Sequence, residues 1–237
     1  MNKTRLKVGD SFTNSQGYVF EVIEYNSCSN VLVEFKEPFQ HRTRAHSSAI
    51  FKGFVKNKYH PILYGVGFIG DGLYTYKSHK QAYTTWTNML QRGYCSKYKA
   101  ENKTYMGCSV ISEWHNFQNF AAWYYENYIV GFSLDKDILG DGKLYSPSTC
   151  CFVPPEINSF FIGTEDGVCL AKREEKYQVS IKYDNSNRFV GYYDSYNDAL
   201  ASYREQKAIK AKCLAIKYEN FVAESVIIKL KEWENIK

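Results

Sequence analysis

The sequence predicts an α+β fold in three segments, and three observations carry that reading. Short runs rich in β-branched and aromatic residues fill residues 1–64. The stretch "LDKDILGDGKLYSPSTCCFVPPEIN" at 134–158 reads as a hairpin followed by a short helix. From 162 onward, alternating strand patterns give way to a long helical pattern. The expected parts are a small N-terminal β-barrel-like domain over 1–64, a hairpin-and-helix domain with flanking helices over 65–161, and a βββα domain with a C-terminal helix over 162–237.

Composition narrows the function classes. The chain has 237 residues, 44% hydrophobic and 17% aromatic, with a formal net charge of +5. A mild basic excess permits nucleic-acid binding without demanding it. Seven cysteines, an odd number with no CxxC pair, argue against a zinc knuckle and a disulfide framework and for free thiols in a reducing cytoplasm. "MNKTRLKVGDSF" has no apolar core of a secretory signal, and no run approaches the roughly 18 apolar residues of a membrane span.

In the first segment "GYVFEVIEYN" and "NVLVEFKE" are strands around an "NSCSN" turn, and "RTRAHSSAIFKGFV" adds one or two more. Arg42 and Arg44 flank Thr43, so both project from one face of a strand. That face is a candidate phosphate contact; a solvated strand is the plainer alternative. The connector "YGVGFIGDGLYTY" lacks the GxxxxGK[ST] spacing of a phosphate loop. "KQAYTTWTNMLQR" places Ala82, Trp86, Met89 and Leu90 on one helical face, and "NFQNFAAWYYENY" does the same with Phe117, Phe120, Ala121 and Tyr124. In the 134–158 stretch, "SLDKDIL" is the expected strand and "GDGK" the tight turn. Ser146–Pro147 is the expected helix start, and Pro154–Pro155 the expected helix end. In the last segment "KYQVSI" and "RFVGYYDS" are strands about the "YDNSN" turn, followed by the helix "YNDALASYREQKAIKAKCLAIKY". Residues 170–217 hold ten Lys/Arg against six Asp/Glu.

The chemistry concentrates at 134–158. Asp135 and Asp137 are two apart and share a face of a straight strand, and Asn158 follows as a third oxygen. Such hard ligands suit Mg²⁺ or Mn²⁺. Hydrolysis of a phosphodiester would also need a base. Lys136 lies between two acids, which favour its cationic form. His115, in "EWHNFQNF", is the other candidate base, or else a helix-entry residue. The plainer alternative makes Asp135 and Asp137 acceptors of backbone amides, with Lys136 facing solvent.

The stretches "YTTWTNMLQRGYC", "YMGCSVISEWHNFQNFAAWYYENY" and "LDKDILGDGKLYSPSTCCFVPPEIN" resemble phage-encoded HNH endonuclease-like proteins that carry an AP2-type DNA-binding domain. The resemblance spans about residues 10–215. It implies a ββα-metal unit at 134–158, with Asp135 before the slot of the catalytic histidine, Lys136 in that slot and Asn158 near the last metal-ligand slot. Thr149 or Cys150 falls near the central asparagine slot. Two of these three signature positions depart from the family pattern, which makes this a degenerate HNH motif. The last segment is similar to an AP2 domain, three strands facing a DNA groove and backed by a helix. Arg173, Lys176, Gln178 and Arg188 are its expected contacts. The function implied is that of a phage DNA-binding protein of the HNH/AP2 endonuclease group in an infected bacterial cell. It would bind double-stranded DNA and, if active, hydrolyse it with one Mg²⁺ or Mn²⁺. The alternatives are a non-catalytic DNA-binding protein on the same scaffold, and a protein-interaction module.

Overall fold

The computed structural model describes residues 6–162, 167–183 and 186–233. Met1–Arg5, part of the stretch read for a secretory signal, lie outside the described residues, as do Asp184 and Asn185 of the "YDNSN" turn. The chain divides into two compact units, 1–91 with 112–122, and 92–111 with 123–237.

In the first unit, β1 (Ser11–Thr13), β2 (Val19–Ser27), β3 (Asn30–Phe35) and β4 (His41–Ala45) form an antiparallel meander in that order. Alternation does the sorting. Val31, Val33 and Phe35 point into a core with Phe20 and Val22, while Glu34 stays partly exposed. The sheet is open, which corrects the expected barrel. Closure requires the outer strands to bond each other. Here β1 is only three residues long and pairs with β2. The core is completed by Ile50 of the short helix α1 (Ser47–Phe51) and by Val55.

Next come α2 (Lys80–Tyr94), α3 (Ser96–Glu101), a 3-10 turn at Lys103–Tyr105, β5 (Ser109–Val110), a second 3-10 turn at Ser112–His115, and α4 (Phe117–Asn127). The apolar face read from the sequence is buried as expected: Ala82, Trp86, Met89 and Leu90 are at most 1% exposed. Trp86 Nε1 donates to the Trp114 carbonyl at 2.7 Å, which satisfies the indole in the core. Gly67 lies against this cluster. A Cβ there would sit 2.4 Å from Leu90 Cδ1 and 3.2 Å from the Trp86 ring, so a larger residue would push on this packed cluster.

The second unit contains β6 (Ser133–Asp135), β7 (Leu144–Tyr145), β8 (Cys151–Val153) and α5 (Pro155–Ile162). The return strand of the hairpin is β8, antiparallel to β6, whereas β7 pairs in parallel with β5. The helix begins at Pro155, eight residues after the expected start. Proline lacks an N–H and has a preset φ, so it opens a helix as readily as it ends one. Ser146–Pro147 instead forms a turn: the Ser146 carbonyl accepts from the Thr149 and Cys150 amides.

Then follow β9 (Val168–Ala171), β10 (Lys176–Tyr183), β11 (Ser186–Tyr193), α6 (Tyr196–Tyr218) and α7 (Glu224–Lys231). The three strands form an antiparallel sheet in the order β11-β10-β9. Helix α6 opens at Ser195, whose side chain accepts the Asn197 amide. It backs the sheet along its length: Tyr193 Oη and Ser202 Oγ are 2.5 Å apart, and further along Lys210 Nζ donates to the Lys182 carbonyl. Its second half contributes Ala208, Ala211, Leu214 and Ala215 to a core with Val153, Ile157, Phe160 and α7 residues Val226, Ile227 and Leu230. Alanines on this face allow close helix approach, and the larger side chains fill the gap.

Leu214 lies 2% exposed in that core. Leu214→Ala is expected to lower unfolding free energy by about 2–5 kcal/mol, read as a shifted urea midpoint.

Candidate functional site

At the end of β6 the chain leaves the sheet, and Asp135 organises the exit. Its Oδ1 accepts the amides of Asp137 at 2.8 Å and Ile138 at 2.9 Å. A carboxylate two and three residues before the amides it accepts is a local turn former. Asp135 is buried, and burial raises its pKa above the usual carboxylate range against the pull of those two amides. Asp137 is exposed, and its Oδ1 accepts from Lys136 Nζ at 2.6 Å.

Lys136 is 5% exposed. Its ammonium lies 5.5 Å from the Tyr145 ring centroid and 5.6 Å from that of Tyr105, so two aromatic faces and one carboxylate hold it. Gly142 closes the loop over this pair: a Cβ there would meet Asp137 Oδ1 at 2.5 Å. The plainer sequence alternative is right about Asp135 as an amide acceptor and wrong about Lys136 facing solvent. Lys136 is a structural cation, tied into the wall of the loop, and among the described residues its acidic partner is exposed Asp137.

The ββα-metal unit is corrected on the same geometry. Among the described residues no group of three or more His, Cys, Asp or Glu is placed to hold a metal ion. Asp135 is engaged by backbone amides and Asp137 by Lys136. Asn158, in α5, has a buried Oδ1 without a hydrogen-bond partner among the described residues, and no hydrogen bond ties it to either aspartate. These residues do not fit a resident Mg²⁺ or Mn²⁺. The neighbouring thiols are no nucleophiles either: burial pushes Cys150 and Cys151 up to about 12.

His115 ends the 3-10 turn at Ser112–His115 in the first unit, and its carbonyl accepts from the Phe68 amide. Asp135, Lys136, Asp137 and Asn158 belong to the second unit. Arg42 and Arg44 do share the exposed face of β4, as read. Arg42 Nε pairs with Glu34 at 2.8 Å, and Arg44 bonds Glu24 at 3.2 Å and Asn30 at 2.7 Å. The first unit also has a cleft of about 550 Å³, lined by residues including Lys56, Lys58, Ile62, Tyr74 and Gln118. Its polar groups hold its own walls. Gln118 bonds the Ile69 carbonyl and both backbone groups of Tyr74, Lys58 pairs with Asp71, and Lys56 donates to Ser15.

The β9–β11 sheet has two unlike faces. Tyr177, Val179, Ile181 and Tyr183 alternate toward α6, with Val179 and Ile181 buried. Lys176, Gln178, Ser180 and Lys182 take the open face. Across the ladder, Gln178 pairs with Tyr192, Ser180 with Phe189 and Lys182 with Asn187. Arg173 is exposed in the β9–β10 turn. Lys176 Nζ lies 3.0 Å from Asp194. Arg188 registers opposite Ile181, on the α6 side of the ladder, and its guanidinium lies 6.0 Å from the Tyr183 ring centroid. Of the four expected contacts, the structure therefore gathers Lys176 and Gln178 on the open face, with Arg173 at its end and Arg188 on the reverse.

Phe189 and Tyr192, which the sequence reading passed over, are the large side chains of that open face. Their rings are 5.0 Å apart. Residues three apart fall on opposite faces of a straight strand. The ladder shifts register between Val179 and Ser180, leaving Val190 as the extra residue, and this bulge brings both rings to one side.

No protein-family model, curated protein or solved structure matches the chain.

Two outcomes follow for the 134–158 loop. Asp137→Ala removes the carboxylate of a buried ammonium and is expected to cost about 1–2 kcal/mol in urea unfolding. Adding Lys136→Met, which leaves no buried charge, recovers most of it. The Asp135 carboxyl has a raised folded-state pKa, so its contribution is fully present below its unfolded value and is lost as pH rises through the folded value. Asp135→Asn keeps the amide-accepting oxygen and removes the titration. Its stability is expected to lose that downward slope with rising pH, measured by urea midpoints across the acidic range.

Proposed function

We propose that this chain is a duplex-DNA-binding protein whose contacts are made by the β9–β11 sheet, without strand cleavage by the 134–158 loop. The observation that carries the reading is the shape of the sheet. Strand β9 pairs with β10 at residues 176–179 and the Gly167 carbonyl accepts the Ser180 amide, so among the described residues 181–183 and 186–188 continue as a two-stranded ribbon backed on one face by α6. Strand axes about 4.8 Å apart suit a major groove roughly 12 Å wide. Among the described residues, Arg173 and Lys182 have no carboxylate partner, and both are exposed. Exposed cations at the two ends of such a sheet are what a phosphate backbone attracts. The resemblance of this segment to an AP2 domain supports the same reading.

The sequestration of Lys136 argues against proton abstraction in the loop. Its ammonium is held by Asp137 and two tyrosine faces. Among the described residues no helix is long and apolar enough to cross a membrane. The cytoplasm of an infected bacterial cell is the location we propose, on the phage resemblance.

The test is fluorescence anisotropy with duplex DNA over a range of salt. The expected slope of log affinity against log salt flattens by about 0.9 for each phosphate contact removed. Arg173→Ala with Lys182→Ala should therefore flatten it by about two units in a folded protein. An unchanged slope and affinity would remove the sheet from the interface. Supercoiled plasmid should stay intact with Mg²⁺ or Mn²⁺, and nicking that depends on either ion would overturn the non-cleaving reading.

A further inference from the structure

We infer that Phe189 and Tyr192 read thymine methyl groups in the major groove, which would make the open sheet face selective for sites containing A·T pairs. The inference rests on the DNA-binding reading and goes beyond it, because phosphate contacts carry no sequence information.

The argument begins with exposure. Phe189 is 52% and Tyr192 45% exposed, on a sheet whose other face is covered by α6. Apolar rings in water are unfavourable, and a strand with regular alternation would have turned one of them inward. The Val190 bulge turns both outward, next to one another, at 5.0 Å between centroids. Bulges that re-aim side chains recur beside functional sites.

The surroundings select the occupant. Gln178 and Ser180 stand directly across the ladder from Tyr192 and Phe189. Lys182 and Arg173 stand exposed, and among the described residues neither has a carboxylate partner. An apolar pair bordered by short polar side chains and cations matches the groove of a duplex. There, the thymine 5-methyl is the apolar feature of the base edges, and phosphates flank it on both sides. A purely apolar protein surface would leave these cations opposite no charge.

The experiment starts from duplexes selected by the protein from a random pool, with affinities measured by anisotropy. Each thymine in the selected site is replaced in turn by deoxyuridine, which differs only by the methyl. For the wild-type protein, at least one replacement is expected to weaken binding about fourfold, the value of one buried methyl-sized group. Phe189→Ala with Tyr192→Ala should bind the thymine and deoxyuridine duplexes equally, with the salt slope of the wild type. Phe189→Leu, which keeps an apolar contact, should retain the discrimination. A selected site without thymine, or wild-type affinity indifferent to every replacement, overturns the inference and leaves DNA binding standing. No duplex binding at any salt overturns both.

Discussion

The structure of the second unit depends on one helix, α6, which serves two cores at once. It backs the β9–β11 sheet, Ser202 meeting Tyr193 and Lys210 bonding the Lys182 carbonyl. Its second half packs on Val153, Ile157, Phe160 and α7. A helix buried on one face shows an apolar stripe of fixed phase. Here the buried positions, from Ala199 to Ala215, include Lys207 and Lys210. The sheet's open face is thereby presented on a rigid base, since the face that α6 covers is already filled.

Buried cations recur in this unit, and they share one solution. Lys207 Nζ lies 4.6 Å from the Trp233 ring centroid and 5.2 Å from that of Phe160. Lys210 lies 5.4 Å from the Tyr183 ring and donates to a backbone carbonyl. Lys136 has Tyr105, Tyr145 and Asp137. In each case aromatic faces replace part of the lost hydration, and an oxygen accepts a proton donor wherever a bond is resolved. The high tyrosine and phenylalanine content thus has a structural use. It also supplies the physical reason Lys136 differs from a histidine in the same place: the side chain anchors a loop.

The candidate interface inverts this arrangement. On the open face the aromatics Phe189 and Tyr192 are outside, and the cations Arg173 and Lys182 are solvated. The difference between the two faces comes from alternation along β10 and from the bulge in β11. One residue inserted in one strand decides which side chains the open face presents.

The sequence by itself determined the α+β class, the apolar faces of α2 and α4, the N-terminal strands, and the βββα order at the end of the chain. Those follow from local periodicity, which needs no partner to be read. That Lys176 and Gln178 share the open face was also legible, because simple alternation holds through β10. Arg188 was not, because the bulge breaks the alternation between β10 and β11. Phe189 and Tyr192 carried a signal only in their three-residue spacing, which means nothing until the bulge is seen. Only tertiary structure decided that the first sheet stays open, because α1 and Val55 complete its core. It likewise decided that β6 pairs with β8 and that Asp135 and Asp137 are engaged within their own loop. Paired aspartates in a sequence look the same whether they face an ion, an amide or a lysine. Their partners come from the fold around them, here the amides of the loop exit and an ammonium held under two tyrosine rings.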